Sequence, residues 1–153
     1  MKILKYSSKR GKFDAHWLSK SLEVLEKDNW GELPKDESYL VTTCHKLRKK
    51  PLREFEIEDF RILIGQDLGL KYLIPLAINI LEKDILSEGH FYEGDLLKAV
   101  LTSNEDYWKI EREDWEKMIS IFNANRSRID KEAEEYDTGR KIIEAFNVFK
   151  KLN

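Results

Sequence analysis

Apolar residues are densest, and the breaks between them sharpest, from Glu54 to Leu101, so this stretch frames the rest of the chain. Phe60, Leu63 and Ile64 recur at the i, i+3, i+4 spacing of one helical face. Gly65 and Gly69 then let the backbone turn left-handed, which predicts a short helix ending within 65–69. Next, Leu70, Leu73, Ile74, Leu76, Ala77, Ile78, Ile80 and Leu81 surround a helix on nearly all sides. A helix without a polar face is enclosed by other elements, so 70–84 is the expected central helix, kinked at Pro75 or beginning there. Its apolar run stops at Glu82, short of the ~20 residues of a membrane span. After the loop 86–95, Asp95 is placed to cap a helix that begins at Leu96 and carries Leu97, Val100 and Leu101.

On the N-terminal side, Asp14 as a cap and Leu18, Leu22 and Leu25 predict an amphipathic helix ending near Asn29 to Gly31. Residues 31–36 connect it to a helix capped by Asp36 or Ser38, with Leu40, Cys44 and Leu47 on one face and Pro51 as its limit. On the C-terminal side, Ser103 to Asp106 has the pattern of a capping box, with Tyr107 and Trp108 packing behind it. A helix starting there or near Glu113 carries Trp115, Met118, Ile119 and Phe122. Ile129, Ala133, Tyr136, Ile143, Phe146 and Phe149 trace a long last helix, mildly interrupted at Gly139. The fold expected is all-α: a single-domain helical bundle over 1–153, of about six or seven helices around 70–84, with 1–13 as a basic arm.

Composition agrees, since seven Gly and three Pro are few for an all-β protein, and 41% hydrophobic residues with four Trp argue against disorder. Cys44 is the only cysteine and cannot form an internal disulfide, and Met1 to Tyr6 lacks the apolar core of a signal peptide. The cytoplasm is the simplest address. The net charge of −2 hides an asymmetry: residues 1–76 carry 15 basic and 12 acidic side chains, and 77–153 carry 12 and 17.

Candidate chemistry is sparse. Lys2, Lys5, Lys9, Arg10 and Lys12 form either a solvated terminus or an arm for nucleic acid or another partner. His45 to Lys50 is basic enough to grip phosphates, yet it lacks interleaved aromatics, and a basic helix end is also what the helix dipole favours. Cys44 on an apolar face reads as a core residue. His90 beside Glu88, Glu93 and Asp95 has the groups for metal or acid–base chemistry. His16, His45 and His90 are scattered, however, and no His-x3-His pair exists, so a structural loop is the better reading and no metal or cofactor is expected. With no phosphate loop, CxxC pair or nucleophile elbow, the residues do not describe an enzyme.

Several blocks in order carry a resemblance. They are Ser-Tyr-Leu-Val (38–41), Cys-His-Lys-Leu-Arg-Lys-Lys-Pro-Leu (44–52), Ile-Glu-Asp-Phe-Arg-Ile-Leu-Ile-Gly-Gln (57–66), Gly-Leu-Lys-Tyr-Leu-Ile-Pro-Leu-Ala (69–77) and Glu-Gly-His-Phe-Tyr-Glu-Gly-Asp-Leu-Leu (88–97). With Leu22 to Trp30 they cover roughly residues 20–108, and over that range the chain resembles the immunity proteins of bacterial contact-dependent growth inhibition systems. His90 departs from the resemblance, standing where an acidic residue is expected. The resemblance implies a cytoplasmic protein that binds the toxic C-terminal domain delivered by a neighbouring bacterium, holds it inactive and has no catalytic residues.

The blocks are mostly apolar or glycine-centred and so explain a scaffold. The partner-binding face is therefore expected in two acidic clusters outside them: Glu105, Asp106, Glu111, Glu113, Asp114 and Glu116, then Asp130, Glu132, Glu134, Glu135 and Asp137. Helical spacing puts Asp130, Glu134 and Asp137 on one stripe, suited to the basic cleft of a nuclease toxin, and the 86–95 loop is the second candidate. The rival reading is a helical nucleic-acid-binding or regulatory module using Lys2 to Lys12 and Lys46 to Arg53.

Overall fold

The computed structural model describes residues 15–153, so the basic arm 1–13 and the Asp14 cap lie outside the described residues. Among those residues the chain is all-α, with nine α-helices and no strand. The first predicted helix is split. Ala15–Ser19 is a 3-10 turn, and α1 is only Leu22–Glu26, with the Ser21 hydroxyl accepting from the Val24 N–H at 3.3 Å. A tertiary bond causes the break, because the Lys20 carbonyl accepts from the Leu52 N–H at 3.0 Å instead of continuing a helix. Ser38, not Asp36, caps α2 (Tyr39–Lys49); Asp36 adopts a left-handed φ of 58°.

Helix α3 (Ile57–Gly65) opens with Glu56 and Asp59 exchanging backbone hydrogen bonds as a capping box, and buries Phe60, Leu63 and Ile64 as their spacing predicts. Asp67 and Gly69, rather than Gly65, make the left-handed turn into α4 (Leu70–Lys83). Pro75 sits inside α4 without starting it. The carbonyl four residues back, which loses its donor, belongs to Lys71 at the surface. Leu73 to Ile78 are all buried, and α4 packs against α3, α5 (Asp95–Leu101) and α7 (Arg112–Ala124), which makes it the enclosed helix of the bundle. No helix among the described residues is long and apolar enough to cross a membrane.

Asn104, and not a Ser103 box, caps α6 (Glu105–Ile110), because the Ser103 hydroxyl is engaged inside the fold. It donates to the Val100 carbonyl at 2.6 Å and accepts from the Trp108 indole at 2.9 Å. The long last helix is two helices, α8 (Arg126–Glu135) and α9 (Asp137–Phe149), broken at extended Tyr136. Helix α9 folds back along α8, so that Phe146 stacks on Phe122 of α7 with ring centroids 3.7 Å apart. Gly139 makes the fold-back possible: a Cβ there would lie 2.6 Å from the Ala133 nitrogen and 2.8 Å from its Cα. Asp137 therefore belongs to a different helix from Asp130 and Glu134, and the single acidic stripe expected from helical spacing does not form.

Two substitutions test this packing by urea unfolding. Leu73→Ala, at a fully buried position, is expected to cost about 2–5 kcal/mol. Gly139→Ala is expected to cost about 1–3 kcal/mol by wedging α8 from α9, and a neutral result would show that the two helices do not meet there.

Candidate partner-binding surface

The 86–95 loop is organised by two carboxylates that the fold takes out of water. Glu58, in the first turn of α3, is 7% exposed, and Asp95, at the start of α5, is 3% exposed. Arg61, one turn after Glu58, donates to both its oxygens, Nε to Oε1 at 2.5 Å and Nη2 to Oε2 at 2.7 Å, and its Nε lies 3.8 Å from Asp95 Oδ2. The remaining acceptor capacity is met by consecutive loop amides. Gly89 N–H donates to Asp95 at 2.7 Å, His90 N–H to Glu58 at 3.0 Å and Phe91 N–H to Asp95 at 3.1 Å. Asp95 is thus not the cap of α5; Gly94 at φ 91° holds that position, and the Asp95 carboxylate turns back to bind the loop.

The electrostatics follow from these partners. Burial works to raise the Glu58 carboxyl, but the hydrogen bonds from Arg61 and the His90 amide, with the Arg61 charge, outweigh it and hold the group below its ordinary value of 4.5. The same partner raises Arg61. His90 contributes mainly its backbone. Its ring is exposed, with Nδ1 3.5 Å from Glu58, and among the described residues no group of three or more His, Cys, Asp or Glu is placed to hold a metal ion. The Phe91 ring is 69% exposed and lies on the Arg61 guanidinium, 4.3 Å from its carbon. Neither Glu58 nor Arg61 stood out in the sequence, although both lie in the 57–66 block; their i, i+3 spacing was the available signal.

The acidic residues expected to bind a partner do not form one face. Asp114 is corrected outright: it is 1% exposed and accepts from the Tyr107 hydroxyl at 2.5 Å. Glu105 pairs with Lys109, Glu116 with Arg112, Asp130 with Arg126, and Asp137 with Arg140 and Lys141, all at the surface. Glu111 is half-buried, while Asp106, Glu113, Glu134 and Glu135 are exposed. The first cluster lies beside the C-terminal end of α9, where the Trp115 indole donates to the Phe149 carbonyl at 3.0 Å, and the second lies at its N-terminal end. Thirteen helical residues, roughly 20 Å, separate the two.

The second cluster is instead joined by the loop. Burial pushes the Glu132 carboxyl up, the charges of Glu93 and Glu135 push it further, and Arg128 pulls it back only in part. The end of loop 86–95 packs against α9, where a Cβ at Gly94 would lie 2.6 Å from Ile142 Cδ1, and Glu93 lies close enough to Glu132 for its charge to act there.

Three members of the basic run are paired within the fold, while Lys46 and Arg53 are exposed. Arg48 is buried, bonds to Glu26 and to the Asp28 carbonyl, and lies under the Trp30 ring at 4.2 Å. Lys49 pairs with Glu23 at 3.1 Å and Lys50 with Asp59 at 2.7 Å. Cys44 is buried, which pushes its thiol up and suits a core residue.

Two outcomes test the network. A Cβ at Gly89 would lie 2.6 Å from Glu58 Oε1, so Gly89→Ala should displace the loop and cost about 1–3 kcal/mol, measured by urea unfolding. Because Glu58 titrates below 4.5 in the folded protein, its stabilisation is complete above that pH and lost as pH falls through the lower folded value. Stability should therefore fall in acid, and Glu58→Gln should be less stable at neutral pH but lose less on acidification; parallel curves would exclude this role.

A family model described as CDI immunity proteins, CDI being contact-dependent growth inhibition, matches residues 24–118, more than half of the chain. No curated protein and no solved structure matches significantly. The matched range contains Glu58, Arg61, the 86–95 loop and Asp95, and it ends before α8 and α9. With its loop-holding network inside that match, the chain belongs to the CDI immunity proteins, a family of inhibitors that bind and neutralise a cognate toxin.

Proposed function

We propose that the chain neutralises a nuclease toxin domain in the cytoplasm by laying the acidic surface between loop 86–95 and the α8–α9 elbow over the toxin's basic substrate cleft. The observation that supports this most is that Glu132 lies within the field of Glu93 on the loop and of Glu135 on its own helix, which Arg128 offsets only in part. Cations of a partner would relieve that repulsion. Glu134 extends this surface along α8. Glu105, Asp106, Glu111, Glu113 and Glu116, at the other end of α9, form a separate acidic area that would add long-range attraction. The nucleic-acid reading loses support because Arg48, Lys49 and Lys50 already have acidic partners.

The test uses the toxin domain encoded beside this chain's gene, in a catalytically inactive form. Reversing Glu132 and Glu135 to Lys is expected to weaken binding at least ten-fold at low salt and to flatten its salt dependence. Reversing Glu113 and Glu116 should mainly lower the association rate. Unchanged affinity and salt dependence in a folded Glu132/Glu135 variant would exclude the elbow, and an active toxin domain that leaves DNA and RNA intact would exclude the nuclease reading.

A further inference from the structure

Phe91 is a largely exposed ring that the fold immobilises. Its backbone N–H is held by Asp95, and one face of its ring rests on Arg61, whose guanidinium is itself fixed at two points by Glu58. Exposing an aromatic ring on a loop costs hydration free energy. A loop anchored by two buried carboxylates could have turned that ring inward, as it half-buries neighbouring Tyr92. Instead the ring stands out at 69% exposure, between Glu88 and Glu93 on its own loop. Among the described residues, Glu88 and Glu93 have no ion pair within the chain, so carboxylates flank the ring on both sides along the loop.

Resting on the reading of the chain as a nuclease inhibitor, we infer that Phe91 is the docking anchor for the cognate toxin domain, entering the flat slot of the cleft where a nucleic-acid base would stack, with the flanking carboxylates meeting the side chains that bind phosphates. The chemistry matches on both counts. A base-stacking slot accepts any flat apolar ring, and a phosphate-binding rim of Lys and Arg accepts carboxylates. Rigidity favours the assignment too, since a ring already held in place loses little conformational entropy on binding, and central aromatic anchors carry a large share of interface energy.

The test measures binding of the inactive toxin domain encoded beside this gene to Phe91→Ala, Phe91→Leu and Tyr39→Ala, with circular dichroism and thermal melting as the fold control. Phe91→Ala is expected to raise the dissociation rate at least ten-fold while leaving the slope of affinity against salt unchanged. Phe91→Leu, which keeps apolar cover on the loop should the alanine disturb it, is expected to lose affinity in the same direction. A short single-stranded oligonucleotide should compete with the wild type for the toxin. Wild-type affinity in both Phe91 variants, or a loss in Tyr39→Ala alone, overturns the anchor and leaves the inhibitor reading standing. Failure of the wild-type chain to bind the toxin domain at all overturns both.

Discussion

Taking the carboxylates of Glu58 and Asp95 out of water against a single guanidinium is the constraint on which the arrangement of this protein turns. One Arg cannot neutralise two buried acids, and a buried charge left without partners is destabilising by several kcal/mol. The remaining compensation comes from the backbone amides of Gly89, His90 and Phe91, which obliges the loop to close over both side chains. Helix α3, the loop and the start of α5 are thereby one unit. The glycine at 89 follows from the same demand, because any Cβ there would meet the Glu58 carboxylate.

The apolar core places that unit against the C-terminal helices. Leu96, Leu97 and Val100 of α5 and the enclosed α4 form the middle of the bundle. The aromatic contacts of Trp108 with Phe149 and of Phe122 with Phe146 seat α9 against α6 and α7. Since α9 folds back on α8 through Gly139, the end of α8 comes to rest beside the loop, and Glu132 meets the field of Glu93. The surface assigned to the toxin is thus built from residues about forty positions apart, held rigid by a polar lock on one side and an aromatic stack on the other.

Charge is divided in a way that the net value conceals. Arg48 and Lys49 of α2 and Lys50 just after it pair with Glu26, Glu23 and Asp59, where they tie the first helices together. Many acids of the C-terminal half are paired within their own helices at exposed positions, where such pairs add little to stability. What stands out against this background is Glu132 near the elbow, which feels the charges of Glu93 and Glu135 with only partial relief from Arg128.

The sequence by itself was enough for the all-α class, for the enclosed helix, which ends within one residue of the boundary its pattern predicts, and for the burial of Phe60, Leu63, Ile64, Met118 and Phe122. It also marked the 86–95 loop as distinct and carried the family blocks. These features are local, because hydrophobic spacing and turn residues act over one or two helical turns. The split of the first helix at Ser21 and of the last at Tyr136 depended on contacts that spacing does not carry: the Leu52 amide on the Lys20 carbonyl, and the close approach of Gly139 to Ala133. The fate of each carboxylate was likewise decided in three dimensions. Asp114 and Glu113 are neighbours in an acidic run, yet one is buried on the Tyr107 hydroxyl and the other exposed. A charged side chain is stabilised by whichever groups the folded chain brings within a few ångströms, and those groups come from elements far away in sequence.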